Sequence, residues 1–215
     1  MGYKGIVEDQ NVIEQDGPSE KSNVVCFGLD CGTMNIVLAR SDSPEVKITR
    51  NVFLQLNRDD INLNELTDIN YVESEDKDLF IIGDDAFKFA NIFGQKVSRP
   101  MESGLISSKE INAIDVLSLI VKSLIGDTKN KEAYCSYSVP AEAIDDTKSV
   151  IYHQKVFSRI LGNLGINHSA VNEGAAIVYS ECQKEKFSGV GISFGAGMCN
   201  VCIMFKGVEV LKFST

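Results

Sequence analysis

The sequence lacks the long apolar runs and the basic clusters that would place it in a membrane or on nucleic acid. No apolar run approaches the ~20 residues that a transmembrane helix needs, and the polar, acidic N-terminus does not resemble a secretory signal. The 215 residues carry 21 Lys and Arg against 30 Asp and Glu, a net charge of −9. Because nonspecific nucleic-acid binding needs clustered Lys and Arg, this composition argues against it. We therefore expect a cytoplasmic protein with no transmembrane segment and no nucleic-acid partner.

The sequence also has few residues for a metal centre made of thiols and imidazoles. Its only histidines are His153 and His168, and the pair Cys199 and Cys202 in "CNVC" has no second pair to complete a zinc site. On a strand, positions three apart point to opposite faces. The pattern therefore favours buried thiols over a metal or redox site.

Hydrophobic patterning divides the chain into a flexible acidic tail at 1–22 and an α/β domain at 23–215. In the domain, strand-like runs at both ends enclose a stretch where helices alternate with strands. This order indicates a mixed sheet with helices packed on it. Apolar residues at helical spacing predict one helix at about 108–125, with Ile111 in its apolar stripe, and another from about 145 to 164. Between them, "RPMESGLI" is expected to be an irregular connector.

The motif "DCGT" at 30–33 follows an apolar strand and has the residue types of a phosphate loop. Gly32 lets the backbone come close to a phosphate, and the Thr33 hydroxyl adds a donor. An acid here would repel phosphate on its own, but Asp30 could hold Mg²⁺, directly or through water. Turns of this kind are also common in plain hairpins, so the motif alone leaves both interpretations open. A weak internal similarity links "FGLDCGTMNIVLAR" to "GISFGAGMCNVCIMF", since both indicate a strand, a Gly-containing turn and a second strand.

Five segments, in order along the chain, resemble the superfamily of actins, sugar kinases and heat-shock chaperone ATPases, and the bacterial cell-shape actin MreB in particular. They are "GLDCGTMN", "IIGDDAFKFANIFGQKVSRPMESGLI", "YSVPAE", "VNEGAAIVYSE" and "GVGISFGAGMCNVCIMFKGVEVL", covering about residues 24–215. The resemblance implies the N-terminal half of an actin-like ATPase. Its fold would be a ribonuclease H-like mixed five-stranded sheet flanked by helices, with a small inserted subdomain at about 50–95. ATP and Mg²⁺ would be the cofactors, and the protein would act in filament or partner assembly.

The resemblance also assigns roles to residues of two loops and of the helix that connects them. Asp30 would hold Mg²⁺, and Glu173 would be the catalytic residue that orients the attacking water. The phosphate-binding residues would be Gly32, Thr33, Met34, Asn35, Gly195, Ala196 and Gly197. An acid in the first turn of a helix is also favoured by the helix dipole, so the position of Glu173 does not by itself require catalysis.

The second loop departs from the family pattern Asp-x-Gly-Gly-Gly-Thr. Ser193 stands in place of the acid and Met198 in place of the hydroxyl, and Gly174 replaces a usual Pro in the connecting helix. Loss of one such group typically costs ~10²–10³ in rate, so we expect ATP hydrolysis to be weak or absent. The half of the family fold that holds adenine and ribose has no counterpart in the sequence. We therefore expect self-association, a filament, or a second half or partner protein.

Two other functions remain open from the sequence. One is a non-catalytic interaction module that has lost nucleotide binding, which Ser193 and Met198 favour. The other is a small-molecule kinase of the same superfamily, which needs a carboxylate base near the substrate hydroxyl. Glu173 is the only clear candidate for that base.

Overall fold

The structure is a computed structural model, and it describes residues 24–57, 69–128, 131–144 and 150–215. The expected tail at 1–22 lies outside these residues, as do the first residues of the helix expected from 145. The described chain forms several sheets, and four helices are assigned within it. None of these described helices is both long and apolar enough to span a membrane.

The central sheet has five strands in the order β10–β9–β1–β2–β3. An antiparallel meander is formed by β1 (Val24–Cys31), β2 (Asn35–Arg40) and β3 (Ser43–Arg50). On the other side of β1, β9 (Glu132–Val139) and then β10 (Asn167–Asn172) are added in parallel. This arrangement confirms the predicted mixed five-stranded sheet.

Two helices bury one face of the central sheet. Alternate residues of β1, including Phe27 and Leu29, point to this face and are 3% and 2% exposed. Against them pack α2 (Ala113–Ile125) and α3 (Val150–Asn163), in one hydrophobic cluster. The β1 side chains between them, including Asp30, point to the opposite face and are exposed. The position of Asp30 on the accessible face thus follows from the strand's period of two.

The helix predicted at about 108–125 is shorter than expected, because α2 begins at Ala113. Ile111, which the spacing places in the apolar stripe, lies before the helix and is 95% exposed. There the Glu110 carboxylate accepts a hydrogen bond from the Asn112 N–H at 3.2 Å. Such local side-chain bonds compete with a helical turn, and apolar spacing does not report them.

A second, smaller sheet lies between β3 and α2 in the chain, within the stretch expected to be an inserted subdomain. Its order is β4–β6–β5, formed by β4 (Phe53–Leu56), β5 (Tyr71–Glu73) and β6 (Leu79–Ile82). The helix α1 (Asp84–Phe93) packs against it, and the two share a hydrophobic cluster of their own.

The segment "RPMESGLI" is a β-hairpin rather than the irregular connector expected. It consists of β7 (Met101–Glu102) and β8 (Leu105–Ile106), which are paired antiparallel. Ser103 and Gly104 form the turn, with φ values of 50° and 75°. Positive φ at both central positions is typical of tight hairpin turns. Strands of two residues are too short to show alternation, so the sequence pattern could not reveal them.

The last three strands form a separate antiparallel sheet, in the order β11–β12–β13. They are β11 (Gly189–Phe194), β12 (Cys199–Phe205) and β13 (Val208–Ser214). The helix α4 (Glu173–Glu181) follows β10 directly and packs on one face of this sheet. The sequence predicted these strands but did not separate them from the central sheet.

Candidate functional site

Two hairpin turns of the same backbone geometry lie in the two sheets. In the first loop (residues 30–35), the Gly32 N–H donates to the Asn35 carbonyl at 2.9 Å. In the second loop (residues 193–198), the Gly195 N–H donates to the Met198 carbonyl, also at 2.9 Å. Both turns therefore close with a bond from a glycine N–H to the carbonyl three residues later.

The flanking strands are paired in the same register. Asp30 lies opposite Val37 in the first hairpin, and Ser193 lies opposite Asn200 in the second. The weak internal similarity in the sequence thus corresponds to two equivalent hairpins. Ser193 occupies the position in the second hairpin that Asp30 occupies in the first.

Both loops have successive backbone donors with no partner among the described residues. The N–H groups of Thr33 and Met34, and those of Ala196 and Gly197, make no hydrogen bond to any residue that the structure describes. Successive free N–H groups in a turn form a concavity that binds anions. Each loop therefore has the chemistry of a phosphate-binding turn.

The two loops meet at the turn of the β7–β8 hairpin. The Gly104 N–H donates to Thr33 Oγ1 at 2.7 Å, which leaves the threonine hydroxyl proton free to be donated. On the other side, a Cβ added at Gly197 would lie 2.4 Å from the Ser103 Cα. A Cβ at Gly104 would lie 2.6 Å from the Met198 sulfur. The Ser103–Gly104 turn is thus in close contact with both loops.

The first loop is held in place by Asn51, a residue that the sequence pattern did not single out. Asn51 is fully buried between β3 and β4, and its Nδ2 donates to the Gly32 carbonyl at 2.9 Å. Its own N–H donates to the Met34 carbonyl at 2.8 Å. A polar residue just before the apolar strand β4 was the only signal for it in the sequence.

Asp30 ends the accessible row of β1 and has one protein partner among the described residues. The Ser138 hydroxyl, near the end of the parallel strand β9, donates to Asp30 Oδ1 at 2.5 Å. The second carboxylate oxygen makes no hydrogen bond or ion pair in the described part of the chain. Asp30 can therefore offer an oxygen to a cation.

Glu173 is placed by the start of α4. Asn172 caps the helix, and its Oδ1 accepts from the N–H groups of Gly174 and Ala175 at 3.0 and 3.2 Å. This cap fixes the first turn, where a negative charge is favoured by the helix dipole. Glu173 is therefore anchored at the junction between the central sheet and α4.

A buried amide holds the Glu173 carboxylate. Asn200 is fully buried, and its Nδ2 donates to Glu173 Oε2 at 2.8 Å. Its Oδ1 accepts from the Ala141 N–H at 2.8 Å, just beyond β9. Because the amide oxygen is already bonded to a donor, the amide NH₂ must face Glu173. The resemblance assigns no role to Asn200, which lies within the apolar run of β12.

Burial is the largest influence on the ionisation of Glu173 and raises its pKa. The negative charge of Asp30 raises the pKa further, whereas hydrogen bonds from Ser193 and Asn200 lower it. Asp30, Glu173 and Ser193 line one groove of about 700 Å³ between the central sheet and α4. The groove thus brings together the two predicted acids, Asp30 and Glu173, and Ser193, which replaces the acid of the family's second loop.

The remaining predicted residues lie elsewhere. The predicted phosphate-loop residues do not line this groove. Thr33 of the first loop and Gly197 of the second contact the β7–β8 turn instead. Asn35 lines a separate polar cavity with Arg50 and Lys88, and the side chain of Met34 is exposed. In the described part of the chain, no cluster of three or more His, Cys, Asp or Glu side chains could hold a metal ion. A cation at Asp30 would therefore need water or a ligand to complete its coordination.

Gly174, which departs from the family pattern, has a packing role. A Cβ on Gly174 would lie 2.7 Å from the Cys202 Cβ, and one on Gly191 would lie 1.9 Å from the Gly174 oxygen. The backbone of α4 is therefore in direct contact with the backbone of β11 and β12, with no room for a side chain between them.

The central sheet, the two equivalent loops and the connecting helix together define an actin-like fold that resembles MreB. A structure described as a MamK double helical filament is 20% identical, with a TM-score of 0.64, over 90% of this chain and 54% of that chain. MreB5 of Spiroplasma citri bound to ADP is 16% identical, with a TM-score of 0.59, over 89% and 51%. A non-polymerising MamK mutant bound to AMPPNP is 20% identical, with a TM-score of 0.56, over 90% and 54%. The chain spans about half the length of these solved structures.

Within this class, the chain belongs to the volactin family, whose sequence profile matches residues 25–215. The match includes both loops, the β7–β8 hairpin and α4. A comparison with curated proteins found no match.

Proposed function

We propose that this chain is a nucleotide-binding domain of an actin-like protein that acts in filament or partner assembly in the cytoplasm, with weak or absent ATP hydrolysis. The two equivalent glycine turns, which meet at the β7–β8 hairpin, are the main support for this proposal. Solved structures with the same fold include a MamK filament and MreB5 bound to ADP and to AMPPNP. These neighbours add support for nucleotide binding and for assembly.

The residues present fit a polyphosphate and a magnesium ion. The free N–H groups of Thr33, Met34, Ala196 and Gly197 would receive phosphate oxygens, and the Thr33 hydroxyl could donate a further bond. The free oxygen of Asp30 would hold Mg²⁺, directly or through water. Bound there, the ion would offset the repulsion between Asp30 and phosphate.

Hydrolysis is expected to be slow because only part of the family's set of acids is present. Glu173 accepts from Asn200, and this bond holds its carboxylate as an acceptor able to orient a water. Ser193 has no negative charge to offer Mg²⁺, and its neutral hydroxyl is too weak a base to activate water as a carboxylate would. The loss of one orienting group is worth ~10²–10³ in rate. Nucleotide would then act mainly as a conformational switch.

Calorimetric titration of the chain with ATP, with and without Mg²⁺, tests the proposal. We expect a Kd of ~1 mM or tighter, about −4 kcal/mol, that requires Mg²⁺. The Asp30→Asn variant should abolish the magnesium requirement and weaken binding. Asp76→Asn, which removes the same charge from the exposed β5–β6 turn, is the matched control and should bind like the wild type.

A folded wild-type chain that gives no heat at millimolar ATP would overturn nucleotide binding. It would support a non-catalytic interaction module, the second candidate function. That candidate is favoured by Met198, whose side chain packs on Gly104 where the family pattern has a threonine. Reversible self-association of the folded chain, unaffected by nucleotide, would support this module.

A further inference from the structure

Two carbonyls of the first loop are held by one residue, Asn51. Its side-chain Nδ2 donates to the Gly32 carbonyl at 2.9 Å, and its backbone N–H donates to the Met34 carbonyl at 2.8 Å. Because a trans peptide unit is planar, its C=O and the N–H that follows point in opposite directions. A carbonyl held on the Asn51 side therefore turns the N–H of the same peptide unit away from Asn51.

This constraint acts on the N–H groups of Thr33 and Met34, which no described residue accepts. The Thr33 N–H is in the same peptide unit as the Gly32 carbonyl, so the bond from Asn51 Nδ2 sets its direction. The Met34 N–H is in the next peptide unit, which lies between the two units that Asn51 holds. Asn51 thus fixes the direction of both donors before any anion is present.

The second loop has no such anchor. Its equivalent carbonyls belong to Gly195 and Gly197, and neither accepts a hydrogen bond from any residue that the structure describes. Glycine at both positions also leaves these peptide units free to rotate. Of the two loops, the first is therefore the one whose donors are preorganised.

Asn51 is itself fixed in place, and its burial is unfavourable. The next residue, Val52, is fully buried in the cluster shared by the smaller sheet and α1, and its carbonyl accepts from the Gly83 N–H at 3.1 Å. Asn51 is fully buried, yet its Oδ1 has no partner among the described residues. The reverse orientation of the amide would place Oδ1 against the Gly32 carbonyl oxygen. An unpaired buried oxygen lowers stability, so the stability of the fold does not by itself explain this side chain.

We propose that Asn51 is a positioning residue for phosphate binding, which holds the donors of the first loop in the direction that a phosphate group requires. This inference rests on the proposed nucleotide binding. Because Asn51 is fully buried, it acts through the loop and does not touch the ligand. A loop that is already ordered loses less conformational freedom on binding, and this raises affinity.

Asn51→Leu tests the proposal in the full chain, since it removes the side-chain donor and keeps both the branched shape and the backbone bond to Met34. We expect the Kd for Mg²⁺-ATP, measured by calorimetry, to rise about 5- to 10-fold, as for the loss of one hydrogen bond. In NMR spectra recorded without ATP, the amide signals of Thr33 and Met34 should shift or broaden, because their peptide units can then rotate. Asn51→Ala provides the same test if Asn51→Leu does not fold.

The matched control is Leu54→Ala in β4. Leu54 is 3% exposed in a cluster that contains no residue of either loop. This variant should lose stability in urea unfolding, because it leaves a cavity, yet it should bind Mg²⁺-ATP and show loop signals like the wild type. Equal weakening of binding by the two variants overturns the proposal, as does unchanged binding by folded Asn51→Leu.

The NMR measurement separates this inference from the proposed function. A wild type that binds no ATP would overturn nucleotide binding. Altered Thr33 and Met34 signals in Asn51→Leu alone would then still show that Asn51 positions the loop. Signals unchanged from the wild type would overturn the role of Asn51 as well.

Discussion

Replacing Asn200 by aspartate tests how the buried amide controls Glu173. The Asn200→Asp substitution keeps the shape of the side chain and the acceptor that receives the Ala141 N–H at 2.8 Å. It replaces the donor that faces Glu173 Oε2 at 2.8 Å by an acceptor. Two carboxyl groups at this separation cannot both be ionised without strong repulsion, so they should share a proton.

The expected loss of stability follows from the lost hydrogen bond between Asn200 and Glu173. A hydrogen bond to a charged group contributes about 1.5–3 kcal/mol, and it would be replaced by repulsion or by protonation. We therefore expect the variant to be about 2–4 kcal/mol less stable than the wild type at neutral pH. Burial and Asp30 already raise the pKa of Glu173, and the substitution should raise it further.

The raised pKa of Glu173 determines how the stability of the variant should change with pH. A carboxyl group whose pKa is raised by folding stabilises the fold while it is protonated, and this contribution is lost as pH rises through the folded-state pKa. Asn200→Asp should therefore be closest to the wild type in acid and furthest from it at neutral pH. Asn167→Asp, an exposed substitution at the start of β10, controls for the added charge.

Urea unfolding at several pH values and NMR titration of the Glu173 carboxyl carbon measure the two effects. The stability difference should shrink on acidification, and the titration midpoint of Glu173 should move to higher pH. An unchanged titration midpoint of Glu173 in the folded variant would refute the reasoning, because residue 200 would then have no electrostatic effect on the Glu173 carboxyl group. A loss equal to that of Asn167→Asp would refute the predicted magnitude.

Two further predictions concern the β7–β8 hairpin and the helix beside it. His153 is buried without a hydrogen-bond partner among the described residues, and burial lowers its pKa to about 4. Because the folded state therefore favours neutral His153, the free energy of unfolding of the wild type should fall by about 3 kcal/mol as pH falls from about 6.5 to 4. His153→Phe should flatten this part of the urea-unfolding profile, and parallel profiles would contradict it. Gly104→Ala places a Cβ 2.6 Å from the Met198 sulfur, at a residue with positive φ. Thermal unfolding should therefore show that the variant is about 1–3 kcal/mol less stable, and calorimetry should show weaker ATP binding. Gly165→Ala, at a similar φ of 71° but with nothing within 4 Å of the added carbon, is its control, and equal effects of the two would contradict the contact.

Much of the fold was predictable because it follows from local periodicity. The strand β1 was predicted, and its period of two then places Phe27 and Leu29 on one face and Asp30 on the other. The order of strands and helices indicated a mixed sheet, and the resemblance to the actin superfamily implied its five strands. The boundaries were less predictable, as Ile111 shows. Its spacing fits the helix, but the Glu110 side chain forms a competing turn before the helix begins.

The candidate site was only partly predictable, because its positioning residues act over long sequence separations. Ser138 reaches Asp30 from a parallel strand, and Asn200 joins Glu173 to Ala141. Ser138 and Asn200 both lie in segments that resemble the superfamily, but the resemblance assigns neither of them a role. Their roles follow from the pairing of strands that are distant in sequence, which hydrophobic patterning does not specify.

The direct backbone contact between α4 and the β11–β12–β13 sheet leaves these elements no room to slide against each other. Gly174 and Gly191 leave no side chain between them to act as a compressible spacer. Any tilt of this sheet against the central sheet would therefore change the distance between Glu173, at the first position of α4, and Asp30 on the central sheet. The distance between the two carboxyl groups is thus a gauge of how one sheet is tilted against the other. A ligand that contacts both would fix this tilt, and a probe attached near either acid would report it.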